Sequence, residues 1–562
     1  MGTTAEQAVG TQAAPLAGGL ERGIDWTGAF WVASGVPPLV LFSIGAIAAT
    51  VGKISWLVWA VSIAMGFVQS FTYAEIAGLF PNKSGGTSVY GAIAWVRYGK
   101  LIAPISVWCN WFAWSPVQAI GSGLAAGYIL SGLFAPDALV NTWQITLCDL
   151  SGLKSGLTLR INAVFLLGAV ILVAVKSIQD GGIMRSANMT KIIGISALIP
   201  LLLIGVLPLL TGDVVWANFV PLKPLAHDAA GYAIDGAWDR AGWTVVAGGM
   251  FLAAWSTYGF ETAVCYTGEF KDPKTDTFKA IFYSGLLCLV VYTLVPFAFQ
   301  GFLGLGKVVH PAVLDAQGKL LTPPVYDGML APDISSNMGV GRVMARMVHF
   351  GGTVGSALVI VMLILALVLS LMTSMAGSSR TLYQAAVDGW LPRYLGKLNE
   401  RGAPSNASMT NLVFNLVLLL MSDYVFVLAA ANVGYLIFSF LNLNAGWIHR
   451  IDRPDQVRPW RAPGWLIGAG AVLSFVNAAF IGMGADATGS GTLRSGLIFC
   501  SLIIPLFIYR HYMQDRGRFP AAMEEELELK DGAAVRRAGL LPWLTLLLGV
   551  AVVAVTRALA IV

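Results

Sequence analysis

Charged residues are scarce in this sequence, and their scarcity limits the classes of protein it can encode. Asp, Glu, Lys and Arg make up 12% of the 562 residues, whereas 56% are hydrophobic and the mean hydropathy is +0.72. Such a balance excludes an ordinary soluble domain and predicts an all-α polytopic membrane protein embedded in the lipid bilayer. The net charge of +5 is modest, and no nucleic acid partner is predicted.

Cysteine and histidine are also few, which argues against metal and redox chemistry. The five cysteines show no CxxC spacing, and only Cys148 lies outside an apolar segment, so a disulfide framework is not expected. The five histidines are scattered, and none lies in an interrupted helix. We therefore predict no metal site and no cofactor, and the absence of a nucleophile–base constellation argues against an enzyme.

Long apolar runs, in contrast, are abundant. A helix needs roughly 20 apolar residues to span a bilayer. The predicted spans are 27–51, 55–80, 101–134, 157–177, 187–211, 243–270, 278–306, 344–386, 405–422, 425–448, 464–484, 493–512 and 540–560. The last segment follows a charged linker, 513–539, and a peripheral hairpin arm within 540–562 is the alternative to a thirteenth span.

The placement of basic residues predicts the orientation. With the N-terminal tail, 1–25, in the cytoplasm, the larger share of the 35 Lys and Arg residues falls in loops and helix ends on the inner side. We therefore expect an integral protein of a bacterial-type inner (cell) membrane with its N-terminus inside. The two long loops, 212–242 and 307–341, then lie outside, as solvated connectors or as small lids.

Two of the predicted spans are interrupted at matching positions. Span one contains Ala33-Ser-Gly-Val-Pro-Pro38, and span six contains Thr257-Tyr-Gly-Phe-Glu-Thr262. They lie five spans apart, and an odd repeat of five reverses the topology. Interrupted helices at corresponding positions of two inverted halves indicate a transporter's binding site near the bilayer midplane. The halves are predicted as 26–211 and 243–448, with spans eleven and twelve in 464–512; a simple packing role for each break is the alternative.

Three stretches carry a family likeness. They are residues 73–91, residues 255–273, and residues 379–392 together with 401–406. In these stretches the chain resembles the amino acid–polyamine–organocation (APC) permease superfamily, and the likeness covers about residues 25–513. It implies a five-plus-five inverted-repeat fold of about 12–13 transmembrane helices. It also implies that a small-molecule substrate is held between spans one and six.

The resemblance also implies roles for residues of the two breaks. In relatives, the unwound backbone of span one receives the substrate carboxylate, which maps to Ser34, Gly35 and Val36. Span six receives the amine, and a Trp one turn before its glycine stacks on the substrate in some relatives. The corresponding residues here are Trp255, Ser256, Gly259 and Phe260.

Two residues are predicted to act in gating or proton coupling. The family glutamate after the span-six glycine maps to Glu261. Burying a carboxyl group in the membrane interior costs free energy, so such a residue is expected to have a function or a partner. Proton-coupled relatives often carry a Lys inside span five, but that position is Gly194 here. Lys191, one turn earlier, is the candidate cation, and snorkelling to the inner surface is the alternative.

Further polar and aromatic residues are candidates for the pocket lining, each with a packing role as the alternative. On span three, Trp111 and Trp114 lie three residues apart with Asn110 near both, and helical spacing allows one ring to face a cavity; Asn110 and Trp111 are the candidates. On span eight, the hydroxyls of Thr373 and Ser374 are candidates for an ion or substrate, and on span ten Asn432 and Tyr435 are candidates for the lining or a gate.

Together these features predict a secondary active transporter of a small amino acid or amine that works by alternating access. Because Glu261 and Lys191 can both titrate, a proton is the first choice of coupling ion; sodium symport and exchange are the alternatives. A ligand sensor or channel on the same fold is the alternative of another class. The oligomeric state is left open.

Overall fold

The structure, a computed structural model, describes residues 20, 22–135, 137–181, 183–315, 317, 319–349, 352–487, 489–527 and 536–561, with the backbone alone for 183–187. Most of the predicted N-terminal tail and part of the charged linker lie outside the described residues.

The described chain is predominantly helical, and its long helices coincide with the predicted spans. Spans one to seven contain the helices Trp26–Ala33 with Val40–Val51, Ser55–Gly78, Ile102–Trp114 with Val117–Leu133, Ala163–Gln179, Ile183–Thr211, Arg240–Thr257 and Pro273–Leu303. Spans eight to thirteen contain Gly352–Val387, Ser405–Leu419, Tyr424–Asp452, Gly464–Gly484, Thr492–Ser501 with Ile503–Ile508, and Leu541–Leu559.

Eight helical segments of the described residues are long and apolar enough to cross a membrane, among them Trp26–Gly78, which joins spans one and two, and the last helix, Leu541–Leu559. The remaining spans are shorter or are divided, as span three is at Ser115 and Pro116. The predicted fold class, an all-α polytopic membrane protein, is confirmed.

Short elements connect these spans. The additional helices are Thr87–Val96, Leu139–Thr142, Pro332–Ser335, Val340–Met347 and Ala521–Glu526, and a π-helical turn, Tyr509–Gln514, ends span twelve. The 3₁₀ segments are Pro37–Leu39, Gly52–Ile54, Trp216–Phe219, Gly259–Glu269, Gly328–Leu330 and Arg393–Gly396.

Four antiparallel strand pairs lie in the loops, where the sequence analysis expected no strands. They are Gln144–Asp149 with Thr158–Asn162, Leu225–His227 with Ala233–Asp235, Val308–His310 with Val325–Tyr326, and Val313–Leu314 with Leu320–Thr322. The first pair corrects span four, which was predicted from residue 157. Asn162 caps the helix there by accepting from the Phe165 N–H at 2.9 Å, so the helix begins only at Ala163.

Span eight is likewise shorter than predicted at its start. Val340–Met347 forms a separate helix, and the span begins at Gly352, whose φ of 58° is a left-handed conformation that glycine adopts readily.

The interrupted spans lie at the centre of the bundle. Every residue of 32–48 in span one and of 247–270 in span six is buried. The first helix of span one packs against spans five and seven, while the helix of span six packs against the second half of span one and against spans two and eleven. Helices enclosed on all sides are apolar around their whole circumference, which explains why neither shows a polar face.

Candidate substrate site

The break in span one follows from its prolines. The helix Trp26–Ala33 ends, and a 3₁₀ turn at Pro37–Leu39 precedes the next helix. Pro37 and Pro38 have no N–H to donate to the carbonyl groups four residues earlier, so the regular ladder cannot continue.

Hydroxyl groups from neighbouring spans satisfy the carbonyl oxygens around this break. Thr373 Oγ1 donates to Val32 O at 2.5 Å and Ser370 Oγ donates to Gly35 O at 2.7 Å, both from span eight. From span seven, Tyr292 Oη donates to Val36 O at 2.5 Å. The unwound main chain of span one is therefore held by side-chain hydroxyls.

The break in span six is a change of helix type. The α-helix ends at Thr257, and Gly259–Glu269 continues as eleven residues of 3₁₀ helix. Runs of this kind beyond about three or four residues are uncommon, and a long one often marks a functional hinge. The two breaks meet at Gly259, where an added Cβ would lie 2.8 Å from Trp114 Cη2 and 3.3 Å from Val36 Cγ1.

Glu261 is the carboxylate at this junction, and it is 1% exposed. One oxygen accepts from Thr87 Oγ1 at 2.6 Å; the other accepts from Trp114 Nε1 at 3.1 Å and from Asn110 Nδ2 at 3.4 Å. All three donors are neutral, and no ion pair of Glu261 is found among the described residues. The site therefore holds a carboxyl group without a compensating protein cation.

Aromatic rings form the wall beside Glu261. Trp255 Nε1 donates to Ala113 O at 3.0 Å, and its ring centroid lies 5.9 Å from that of Phe42. Trp114 meets Tyr435 edge to face at 6.4 Å between ring centroids. The hydroxyl of Tyr435 is buried without a hydrogen-bond partner in the described structure, so the polar part of this wall can accommodate one more partner.

Several predicted residues come together here. Gly259 and Tyr435 lie against the ring of Trp114, and Val36 lies beside Gly259. Glu261 accepts from both Trp114 and Asn110. Thr373 contacts span one directly, and Ser374 Oγ donates to Trp114 O at 2.7 Å. Ser256 shares a hydrogen bond of 2.9 Å with Ser43 of span one. Asn432 donates to Phe251 O of span six.

Other predicted residues point elsewhere. Trp111 donates to Asn411 Oδ1 of span nine at 2.6 Å and so lies away from the junction. Phe260 packs toward Gly285 of span seven. Ser34 Oγ donates to Trp31 O at 2.5 Å, and its oxygen faces Gly194, where an added Cβ would lie 2.8 Å away.

Lys191 is exposed on span five and is not brought to the break. Because Gly194 is the span-five residue that faces the break, span five places no ammonium group beside span one at that position.

Of the two span-three rings that the sequence analysis considered, Trp114 rather than Trp111 faces the junction. Its indole N–H donates to Glu261 and its carbonyl oxygen accepts from Ser374. Its ring lies against Gly259 and Tyr435. Its position three residues after Trp111 was the available signal, but the rotation of span three about its axis decides which ring faces the centre.

A buried ion pair closes the end of the site that the charge distribution predicts as inner. Arg380 of span eight makes a two-pronged contact with Glu269, with Nε to Oε1 at 2.5 Å and Nη2 to Oε2 at 2.9 Å. The side chains are 5% and 1% exposed, and the guanidinium also lies 5.2 Å from the centroid of Tyr266. Although Lys271 lies two residues away in the sequence, Glu269 is therefore a buried partner of Arg380 and not a solvated residue of the turn.

A second set of ion pairs involves the loop after span two. Lys83, in the loop after span two, bonds Asp388 at 2.6 Å and Glu526 at 2.9 Å. Burial opposes the charge of Lys83, yet these carboxylates raise the pKa of its ammonium group above the ordinary value. The charged linker 513–539 thus contributes Glu526 to a contact with the helical bundle; Glu528 lies outside the described residues.

A cavity lies toward the opposite end of the bundle. A cavity of about 840 Å³ is bordered by Thr50 of span one, Val245 of span six, Asp423 beside span ten and Arg160 of the first strand pair. No residue of the two breaks lines this cavity.

Comparison with known proteins identifies the chain. The sequence profile of a family described as amino acid permease matches residues 24–508. This chain belongs to the amino acid permease family. It is a transporter, an integral membrane protein and a member of the APC superfamily, as the resemblance predicted.

Curated relatives of the permease are distant but cover most of its length. "Branched-chain amino acid permease BcaP" of Lactococcus lactis subsp. cremoris (strain MG1363) is 24% identical, covering 80% of this chain and 85% of its own. The protein of the same name in Bacillus subtilis (strain 168) is 23% identical, covering 82% and 83%. "Polyamine transporter PUT1" of Oryza sativa subsp. japonica is 23% identical, covering 82% and 75%.

Proposed function

We propose that this permease carries a small amino acid with an apolar side chain across the cell membrane by alternating access, together with a proton. The substrate lies between the break around Ser34–Val36 and the break around Thr257–Gly259. The observation that carries the proposal is Glu261, a buried carboxyl group at the junction of the two breaks with only neutral donors around it.

The count of carboxylates favours an amino acid over a polyamine. Glu261 stands against the breaks, whereas the other buried carboxylates of the described residues lie at the ends of spans: Glu75, Glu269, Asp276, Asp388, Asp452 and Asp486. One carboxylate suits one ammonium group, and a polyamine carries at least two. The names of the two branched-chain amino acid permeases agree with this preference, and the name of the rice relative supports the alternative.

The lining favours an apolar side chain. Val36, Phe42, Trp114 and Trp255 supply the walls, and a mostly apolar pocket with a few polar groups is typical of small-molecule sites. The hydrogen bond from Trp255 to Ala113 O fixes the indole, so the ring is pre-organised for stacking.

Proton coupling follows from the same carboxyl group. When Glu261 is ionised it can pair with the substrate ammonium, and when it is protonated it is neutral and can remain buried. Because no cation of the described residues pairs with it, gain and loss of a proton change the charge of the site by one unit. We infer that this change links proton movement to substrate release.

Sodium symport is the second candidate, and a separate observation favours it. Val32 O, Gly35 O, Ser370 Oγ and Thr373 Oγ1 form a group of oxygen atoms between spans one and eight. Oxygen atoms are the ligands of hard cations, and a sodium ion at this position would draw the break in span one toward span eight.

Transport by purified permease in liposomes distinguishes these proposals. Labelled valine is supplied first with an inward proton gradient and no sodium gradient, then with a sodium gradient at equal pH. We expect accumulation above equilibrium with the proton gradient alone, its loss on adding a protonophore, and no competition by putrescine.

The opposite outcomes have defined meanings. Accumulation driven by sodium at equal pH supports the second candidate and contradicts proton coupling. Competition by putrescine at the concentration of valine contradicts the amino acid assignment. Saturable binding without flux supports the sensor alternative and contradicts a carrier.

A further inference from the structure

A second cavity, of about 370 Å³, lies at the inner end of spans eight and twelve, away from the substrate site. Three arginines line it: Arg393, Arg510 and Arg518. Its remaining walls are Val387, Asp515, Phe519 and Pro520. Nothing in the proposed transport mechanism uses these side chains.

The cavity carries more positive than negative charge. Asp515 is the one carboxylate in its lining; it bonds Arg393 Nη2 at 2.6 Å and lies 2.9 Å from Arg510 Nε. Arg518 is exposed and has no ion pair among the described residues. A single carboxylate shared between two guanidinium groups leaves the third without a counter-charge, so the cavity attracts an anion.

Hydrogen bonds hold two of the arginines in place. The π-helical turn Tyr509–Gln514 ends span twelve and turns Arg510 inward, where its side chain is 4% exposed. Arg510 Nη2 donates to Ala386 O of span eight at 3.1 Å, and Arg393 Nη2 donates to Gln514 O at 3.1 Å. The guanidinium groups are therefore positioned before any ligand arrives, which lowers the cost of binding one.

The surroundings of the cavity expose aromatic and apolar side chains. Tyr509, Tyr512 and Met513, on the same turn as Arg510, expose most or nearly half of their side chains, as does Val387 in the cavity wall. Exposed aromatic and apolar side chains next to basic ones are typical of the level at which a span enters the head-group region. An acyl chain can bury its apolar surface against this rim, whereas a free anion in water gains no contact from it.

We propose that this cavity binds the phosphate group of an anionic phospholipid, with the acyl chains along Tyr512 and Met513. Arginine suits a phosphate because its planar fork can donate two parallel hydrogen bonds. Basic pockets between helices on the cytoplasmic side of membrane proteins bind anionic head groups by the same chemistry.

Native mass spectrometry of the full-length permease, delipidated in detergent, tests this assignment. The probes are phosphatidylglycerol, phosphatidylcholine and inorganic phosphate. We expect phosphatidylglycerol to bind about tenfold more tightly than phosphatidylcholine, and the Arg393→Gln, Arg518→Gln double variant to lose about tenfold of that affinity, since each arginine near the surface contributes several-fold.

Two further variants keep the test decisive. Arg461→Gln removes the same charge from an exposed position after span ten and should leave the affinity unchanged. Arg518→Glu alters one exposed side chain without touching the hydrogen bonds of Arg393 or Arg510, so it should fold normally and still weaken phosphatidylglycerol binding.

The assignment is overturned if phosphatidylglycerol and phosphatidylcholine bind the wild type equally, or if the affinity for phosphatidylglycerol is the same in Arg518→Glu as in wild type. Binding of inorganic phosphate that depends on Arg393 and Arg518, without a preference for phosphatidylglycerol, identifies a soluble anion and overturns the lipid as its source.

Discussion

Replacing Arg380 with Gln should open the inner end of the permease. Arg380 and Glu269 form a two-pronged ion pair that joins span eight to the end of the 3₁₀ segment of span six. Any opening between these two elements must separate the pair. Without the guanidinium group, Glu269 is left buried and unpaired in the closed state, whereas in an inward-open state its carboxylate reaches water.

The magnitude follows from the burial of both side chains. Removing one partner of a buried ion pair costs about 3–5 kcal/mol, because the remaining charge is uncompensated. Screening by solvent does not reduce this figure much, since Arg380 and Glu269 are 5% and 1% exposed. Taking about 3 kcal/mol, the ratio of inward-open to closed molecules should rise about a hundredfold, at about 1.4 kcal/mol for each factor of ten.

Cys265 provides the readout. This free cysteine is buried in the 3₁₀ segment, and its carbonyl oxygen accepts from the Gly85 N–H at 2.9 Å at the inner closure. In a background with Cys265 as the sole cysteine, alkylation by a membrane-impermeant maleimide from the inner side should be much faster in Arg380→Gln than in wild type. The neutral double variant with Glu269→Gln should return most of the rate toward wild type.

A matched control separates opening from unfolding. Cys288, in span seven, is fully buried, and a variant with Cys288 as the sole cysteine should remain unlabelled with and without Arg380→Gln. Equal alkylation rates of Cys265 in wild type and Arg380→Gln would refute the reasoning, and labelling of Cys288 would show that the protein had unfolded.

Three further predictions concern the substrate site. Glu261→Gln should keep the thermal unfolding temperature within a few degrees and abolish the stimulation of valine uptake by external acid; uptake that still rises between neutral and acid pH would remove Glu261 from coupling. Trp255→Ala should weaken valine binding about tenfold or more through the loss of a stacked aromatic ring, and an unchanged dissociation constant in a thermal-shift titration would place the substrate elsewhere. Gly259→Ala should abolish valine binding because its Cβ would lie 2.8 Å from Trp114 Cη2. The control variant Gly468→Ala, with open space around it, should bind valine as the wild type does. Equal binding by both variants would show that the breaks do not form the site.

The long apolar helices were predictable because hydropathy is a local property of the chain. A run of about 20 apolar residues in this composition has no stable place except across a bilayer. The exceptions arose where polar residues interrupt a run, as at Asn162, or where an apolar helix is too short to span. Thr87–Val96 is such a helix, and all ten of its residues are buried beneath neighbouring spans.

The two breaks were also predictable, since glycine and paired prolines act on the backbone itself. The partners of the breaks were not. Glu269 and Arg380 are 111 residues apart in the sequence, and their pairing depends on how spans six and eight pack. Trp111 and Trp114 are chemically alike, so composition does not reveal which ring faces Glu261; the rotation of span three about its own axis decides it.

The most direct measurement is an electron cryomicroscopy map of the permease saturated with valine. We predict density for one valine between Val36 and Gly259, with its ammonium group beside Glu261 and its side chain against Trp255. Density confined to the outer cavity near Asp423, or an empty junction at saturating valine, would contradict the account.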